Sequence, residues 1–467
     1  MKLVPRYTDI ADNFAIEDQP SSVAAPQLLL WNASLAKQFN IDVEPQLRGS
    51  TFAGNEPQQI KAVALGYSGH QFGHFSPRLG DGRAHLLGAI SDDKNQLWDI
   101  QLKGSGATPY SRGGDGRCAL GPAIREYIMS EAMHGLGIKT TRCLAVVGTG
   151  EAVYRNPPQP GAIVTRLASS HIRVGSFQYL ATQGDTEGLK KLADTAIERH
   201  YSEINIIGPE RYLAFLDAVI KNQLDLIISW MRVGFIHGVM NTDNTLVSGE
   251  TIDYGPCAMM NVFDFDTVFS SIDKQGRYAF GNQPNIASWN CARLAESLIP
   301  LINDDEQAVN LMTPIISQFS TLFNEQYNQM WAQKLGLAGH NEDDVELVSK
   351  LLLLFQEHKL DYTNTFDALT ESLNGGALPE ELTQWANAWQ KRCDENSYNV
   401  MRAANPRAIP RNHIVEEILA QYNQHGESEL LSDFLTVMSN PYDKTPNLAR
   451  FQEAGLDDPR YQTFCGT

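Results

Sequence analysis

Leu213, Leu216, Ile220, Leu224, Ile227 and Met231 recur three or four residues apart between Glu210 and Val233, one continuous apolar stripe on a long helix. At about 1.5 Å per residue such a helix runs for roughly 36 Å, so a body of other elements must cover its stripe. This core helix delivers the chain into His237-Gly238-Val239-Met240-Asn241-Thr242-Asp243-Asn244, and Asp253-Tyr254-Gly255 follows shortly after. Two β-prone runs lie between them, with Gly249-Glu250 suited to the central positions of a type II′ hairpin turn. That hairpin sets Leu246 opposite Asp253 and leaves Asn244 on the diagonal, about 7–8 Å away. An amide oxygen and a carboxylate so placed can hold one hard cation of the magnesium type.

Asparagine, hairpin and Asp-aromatic-Gly in this order resemble the metal-binding layout of protein kinases. The spacing His-Gly-x₅-Asn from His237 to Asn244 is similar to the catalytic loop of small-molecule kinases, but Val239 stands where those enzymes carry their acid. An acid appears instead at Asp243, directly before Asn244, so base chemistry must come from a shifted position.

The first half of the chain supplies residues suited to phosphate. Arg78-Leu79-Gly80-Asp81-Gly82-Arg83 reads as a glycine turn between strands, where backbone N–H groups can approach a phosphate and Arg83 offers a planar cation. In Leu97–Lys103, Trp98, Ile100 and Leu102 alternate with Asp99, Gln101 and Lys103, a strand whose polar face ends on the lysine. That is the position of the phosphate-pairing lysine of a kinase. The loop Gly104–Gly121, with Asp115 and Gly116, is glycine-rich enough to read as a ligand clamp. Pro122 then opens a helix over 123–134, from which Glu126 or Glu131 could orient Lys103; Glu126, nearer the glycine loop, is favoured. Strands over 141–147 and 161–168 follow, leading to Arg173. Arg83, Lys103, Arg166 and Arg173 together make a triphosphate cradle within an acidic chain. His70 and His74 lie among glycines that disfavour a helix, and read as hydrogen-bonded packing residues.

The expected architecture is α+β: a bilobal protein-kinase-like fold with a small β-rich N-lobe and a large helical C-lobe. Residues 1–60 form an N-terminal extension, irregular except for one helix from Ala25 to Phe39. Residues 61–180 form the N-lobe, 181–425 the C-lobe with the 237–255 loop, and 426–467 a C-terminal tail carrying Cys465, loop-rich from Asn440 onward. Helices are expected near Thr186–His200 and over Ala292–Ile299, Glu306–Leu335 (kinked or broken at Pro314), Asp343–His358, Asp367–Leu373, Glu380–Asp394 and His413–Tyr422. With 37 basic against 55 acidic residues and a net charge of −18, neither nucleic acid nor an anionic membrane is an expected partner. No signal-like start and no run of roughly 18 apolar residues is present, so a cytoplasmic location is expected. Six cysteines without a Cys-x-x-Cys pair indicate neither a zinc site nor a disulfide framework.

Three stretches are more specific than these generic motifs: Gly69-His70-Gln71-Phe72-Gly73, Leu102-Lys103-Gly104-Ser105-Gly106-Ala107-Thr108-Pro109-Tyr110-Ser111-Arg112, and Asn241-Thr242-Asp243-Asn244 with Ile252-Asp253-Tyr254-Gly255-Pro256. With them the chain resembles the selenoprotein O family of protein adenylyltransferases, over most of its length and most densely from Gly66 to Pro284. The resemblance implies ATP bound in flipped orientation and AMP transferred to Ser, Thr or Tyr hydroxyls of proteins, with pyrophosphate leaving. It implies that Lys103 holds phosphate and pairs with Glu126, and that Gly80, Gly82, Arg83, Asp115, Gly116, Arg166 and Arg173 line the nucleotide site. Asn244 and Asp253 would bind Mg²⁺, with Mn²⁺ the alternative, and Asp243 would be the base. It also implies a regulatory disulfide from Cys465 to a cysteine of the segment after Gly255, Cys257 by position, with Cys291 the alternative. A γ-phosphoryl-transferring kinase and a non-catalytic nucleotide-binding scaffold are the competing readings; intact Lys103, Asn244 and Asp253 favour an enzyme, and Val239 weighs against the kinase.

Overall fold

The alternating and continuous apolar runs of the first 170 residues become one antiparallel sheet. In the computed structural model, which describes residues 2–56, 61–302, 304–339, 341–455 and 461–464, its strands are β1 (Ala15–Glu17), β2 (Gln27–Trp31), β3 (Val63–Leu65), β6 (Ala84–Ser91), β7 (Leu97–Lys103), β8 (Cys118–Ala119), β9 (Arg142–Val153) and β10 (Gln159–Ala168). Their order is β1-β3-β6-β7-β10-β9-β2, with β8 added to β10. A separate hairpin, β4 (Gly69–Gln71) and β5 (His74–Ser76), stands off this sheet. Helices α1 (Ala33–Gln38) and α2 (Arg48–Ala53) cover one face, where Leu35, Phe39 and Phe52 pack on Ile100, Leu102, Ile163 and Leu167. Helix α3 (Leu120–Gly135) covers the other, with Ile124 and Ile128 in the same core as Val146 and Val164.

From α4 (Val174–Thr182) onward the described chain is helical, apart from loops and the short pair β11 (Phe235–Ile236) and β12 (Ala258–Met259). Helices α5 (Thr186–His200) and α6 (Glu210–Val233) have the bounds their periodicity predicts. The stripe of α6 is buried except at Leu213, which is partly covered, and Gly234 ends the helix in the left-handed conformation (φ 78°) that glycine adopts freely. Helix α7 (Gln283–Leu298) starts earlier than expected, with Pro284 in its first turn. No helix among the described residues is long and apolar enough to cross a membrane.

Three expectations are corrected and one helix is added. Ala25–Phe39 is not one helix: β2 pairs with β9, and Asn32 then caps α1 by accepting from Leu35 N at 3.0 Å. The helix pair Asp305–Ser317 and Phe319–Leu335 parts at Gln318 rather than Pro314, which lies inside the first helix. Ahead of Asn440, where no element is assigned from sequence, the tail is a packed helix, Glu429–Ser439, burying Leu430, Leu431, Phe434, Val437 and Met438. Finally, Leu246 does not pair with Asp253. Val247 N donates to Ile172 O at 3.0 Å and Thr251 N to Lys139 O at 2.9 Å, so each half of the expected hairpin bonds to a different segment.

The cysteines give no support to the expected disulfide. Cys118, Cys143, Cys257, Cys291 and Cys393 are all free, and Cys465 lies outside the described residues. Cys257 is fully buried and donates to Tyr254 O at 3.4 Å, and burial pushes its thiol up to about 11. The tail does reach this region: Thr463 Oγ1 donates to Pro256 O at 2.5 Å, and Thr463 forms a parallel bridge with Ser270.

One buried charge ties the sheet to the helical part. Asp99 Oδ2 accepts from Tyr7 Oη at 2.7 Å and His171 N at 3.0 Å, while Oδ1 accepts from Arg199 Nη2 of α5 at 2.7 Å. Burial alone would raise the Asp99 carboxyl, but Arg199 and then His171 hold it well below the carboxylate range. Arg199→Met removes the full counter-charge that Asp99 has among the described residues and should cost about 3–5 kcal/mol; urea unfolding should show a lowered midpoint with an unchanged slope.

Candidate active site

Strand β7 has no solvent face. Ile100 and Leu102 point into one core, and the opposite row of Asp99, Gln101 and Lys103 is buried as well. Each of these polar groups is therefore paired. Lys103 Nζ donates to Glu126 Oε2 of α3 at 2.6 Å and also to Asp253 Oδ1. Arg166 lies across from Gln101 in the β7–β10 register. Its Nε donates to Gln101 Oε1 at 2.9 Å, and its Nη1 to Glu126 Oε1 at 3.1 Å and Asp253 Oδ1 at 2.8 Å. Burial works against the Lys103 charge, but Asp253 and then Glu126 outweigh it and raise its pKa. Burial likewise opposes the Asp253 charge, yet Lys103, Arg166 and Arg173 hold it well below the carboxylate range. Of the two glutamates the sequence offers, Glu126 is the one on Lys103; Glu131 binds Arg142 through two 2.7 Å bonds.

Asp253 is brought to this point by a backbone that needs support. Its φ is 64°, in the left-handed region, which costs a non-glycine residue about 1 kcal/mol or more. His237 braces the turn: its ring stacks on Trp230 of α6, and Nε2 bonds Ile252 O at 2.8 Å. Burial lowers the His237 pKa, so the ring is neutral and Nε2 carries the donated proton. Arg125 of α3 grips the other side, donating to Gly255 O at 3.1 Å and Cys257 O at 2.5 Å. Asn244 Nδ2 donates to Val239 O at 3.1 Å, which fixes the amide plane. Lys103 and Arg166 both use Asp253 Oδ1, and among the described residues neither Asp253 Oδ2 nor Asn244 Oδ1 has a hydrogen-bond partner. Two hard oxygens are thus open, a donor set that suits a magnesium-type cation.

Asp243 sits in a short 3₁₀ turn, Thr242–Asn244, beneath the β4–β5 hairpin. His70 N donates to Thr242 Oγ1 at 2.7 Å, Gln71 Nε2 to Asp243 Oδ2 at 3.1 Å, and Phe72 N to Asn241 Oδ1 at 3.2 Å. A side chain at Gly69 would overlap the Asp243 carboxylate, so glycine is required there. Asp243 Oδ1 is buried without a partner among the described residues. Burial pushes the Asp243 carboxyl up to about 6, against the lowering effect of its own backbone N–H, Gln71 and Arg173. A carboxylate with one free oxygen and a pKa near neutrality can accept a proton.

The remaining expected residues divide. Arg173 is buried, with its guanidinium 4.3 Å over the Tyr67 ring and Nη1 3.6 Å from Asp81 Oδ1. Its charge acts on both Asp243 and Asp253. Arg83 is close enough to Lys103 to oppose its charge, and its carbonyl accepts from Gly104 N at 2.7 Å. Gly80 and Gly82 are needed locally for another reason: side chains there would overlap the Tyr110 ring and press on its carbonyl. Asp115 binds Arg155 at 2.7 and 3.2 Å on the exposed side of its loop, and Gly116 packs its backbone on Gly106. Neither bonds to the Lys103–Asp253 cluster. Sequence reasoning missed Gln71, Asp81, Gln101, Arg125 and Tyr278 as members of the site's framework. The polar row of β7 carried a signal for Gln101; Gln71 lay in a recognised motif without an assigned task.

The family model described as "Protein adenylyltransferase SelO" matches residues 1–439. A Pseudoalteromonas translucida protein named "Protein nucleotidyltransferase YdiU" is 77% identical, with 100% of each chain covered. Proteins of the same name are 45% identical in Teredinibacter turnerae, over 100% of each chain, and 49% identical in Bacillus cereus strain ATCC 14579, over 99% of this chain and 97% of that one. The full-length identity and the family match together place the chain, whose Lys103–Glu126–Arg166–Asp253 cluster they span, in the SelO family of protein adenylyltransferases.

Proposed function

We propose that the chain transfers AMP from ATP to serine, threonine or tyrosine hydroxyls of proteins and releases pyrophosphate. The observation that carries this reading is the displaced base. Val239 leaves the usual acid position uncharged, while Asp243 sets a buried carboxylate with an unpartnered oxygen beside Asn244. ATP lies flipped, so that its α-phosphate faces Asp243. The acceptor oxygen bonds to the α-phosphorus as the bond from that phosphorus to the α–β bridging oxygen breaks. The hydroxyl proton passes to Asp243 Oδ1, and the electron pair of the broken bond leaves with pyrophosphate.

Lys103, Arg166, Arg173 and Arg83 bind phosphate oxygens, with Glu126 orienting Lys103; Gly80, Gly82, Asp115 and Gly116 complete the nucleotide site. Mg²⁺, or Mn²⁺ in its place, would be held by Asn244 Oδ1 and Asp253 Oδ2, and when bound it offsets charge gathering on the phosphates. A kinase-like two-lobed fold, with lobes over 61–180 and 181–425, belongs to the same proposal. It is supported by the strand-lysine to helix-glutamate bond of 2.6 Å between β7 and α3.

With ATP labelled at the α- or the γ-phosphate, only the α-label should pass to protein. Asp243→Asn keeps an oxygen for Gln71 yet removes the base, and should slow transfer about 10²–10⁴-fold. Transfer of the γ-label would overturn the reading and make the chain a kinase; ATP bound with neither label transferred would make it a scaffold. Chelation with EDTA should abolish transfer by wild type, excess Mg²⁺ should restore it, and Asp253→Ala should stay inactive at any Mg²⁺ concentration.

A further inference from the structure

We propose that Arg277, Trp289 and Arg293 form a docking surface for an acidic side chain of the acceptor protein, next to the hydroxyl that receives the nucleotide. This rests on the adenylyltransferase reading and adds the acceptor's chemistry to it. Trp289 stands part-exposed on α7 between two cations: Arg277 Cζ lies 4.9 Å from its ring centroid and Arg293 Cζ 4.8 Å. The His70 ring meets the indole edge-on at 4.9 Å, and Phe75, 43% exposed, lies 4.8 Å from His70. Arg293 shares its charge with Glu296 at 2.6 Å. Arg277 has no carboxylate in ion-pair reach of its guanidinium among the described residues, and its Nε is buried without an acceptor; Asp273 bonds only its backbone N, at 2.9 Å.

In a chain with 55 acidic and 37 basic residues, the Arg277 charge is thus left without a carboxylate, its side chain bonding the Tyr278 hydroxyl instead. A guanidinium held against an aromatic ring can offer its remaining N–H groups to a carboxylate at little entropic cost. Burial, then Arg293 and Arg277, lower the His70 pKa, so His70 adds no charge of its own. The surface is joined to the base by short links. Arg277 is followed by Tyr278, whose hydroxyl donates to Asn241 Oδ1 at 2.6 Å, and His70 is followed by Gln71, on Asp243 at 3.1 Å. Gly73, at φ 84°, turns the hairpin directly over the guanidinium, where a Cβ would sit 3.6 Å from Arg277 Cζ. A protein segment presenting its hydroxyl to Asp243 would therefore pass its neighbouring residues across this surface. The net charge of −18 makes nucleic acid an unsuitable occupant.

The test uses serine peptides identical except for glutamate, glutamine or lysine flanking the serine, with α-labelled ATP and Mg²⁺. Wild type should prefer the glutamate peptide in kcat/KM by about 10-fold, the worth of a charge-assisted bond pair, and the preference should shrink at high salt. Arg277→Gln should bring the glutamate and glutamine peptides together through KM, and Arg277→Glu should shift preference to the lysine peptide. Equal use of the three peptides by wild type overturns the docking surface alone. A change in KM for ATP rather than for peptide in Arg277→Gln also overturns it, and assigns the surface to the nucleotide. No α-label on any peptide or on the protein itself, from wild type, overturns the adenylyltransferase reading as well.

Discussion

Two cations and two carboxylates that share a buried space set the terms for the rest of this molecule. Lys103, Arg166, Glu126 and Asp253 arrive from β7, β10, α3 and the turn after His237, four elements distant in sequence. Taking any one of these charges out of water alone would cost several kcal/mol, so each element can settle only when the other three are in place. The quartet thus acts as a registration device: a one-residue slip of β7 would bury Leu102 among charges and turn Lys103 into an apolar core. The other buried pairs follow the same logic at the edges of the joint. Asp99 with Arg199 and His171 links β7 to α5, and Arg125 links α3 to Gly255 and Cys257.

How far the sequence disclosed this arrangement depended on whether a residue's partner was local. Helices α5 and α6 were legible to the residue because one apolar period of 3.6 decides them. The helix Glu429–Ser439 carries the same period, but it is short and lies directly before the loop-rich stretch from Asn440. The hairpin expected between Asn244 and Asp253 failed for a different reason. Its turn chemistry was suitable, but Ile172 and Lys139 offered the strand segments better-placed carbonyls, and no local pattern contains that information. The β7 lysine shows the opposite case. Alternation was read correctly, yet its polar face, which in a solvated strand would look outward, looks inward at α3. Alternation reports that two faces differ; it does not say which one meets water.

The same limit explains what was missed around Asp243. Its importance followed from Val239, a substitution visible in one dimension. Its environment did not, because the hairpin that covers it lies more than 160 positions earlier, and the bonds from His70 and Gln71 to Thr242 and Asp243 span |i−j| of 172. The glycines of this hairpin were read as a reason against a helix. In the fold they have steric tasks: Gly69 makes room for the Asp243 carboxylate, and Gly73 turns the chain above Arg277. Glycine in a motif signals close approach, and only the fold names what approaches.

Charge placement then connects the site with the body that holds it. A protein of net charge −18 repels a nucleotide triphosphate at long range, but that repulsion fades over a Debye length of about 8 Å at physiological salt. Inside the pocket the balance is local. Arg83 and Arg173 add to the two cations already counted, while the Glu126 and Asp253 charges are committed to holding Lys103 and Arg166 in position. Because both cations rest on a single oxygen of Asp253, a phosphate can take over part of their hydrogen bonding without leaving a charge unpaired. Among the described residues Asp253 Oδ2 meets no donor, so this second oxygen is spent on neither cation. An acidic exterior is therefore compatible with four cations, Lys103, Arg166, Arg173 and Arg83, gathered where the sheet meets the helices.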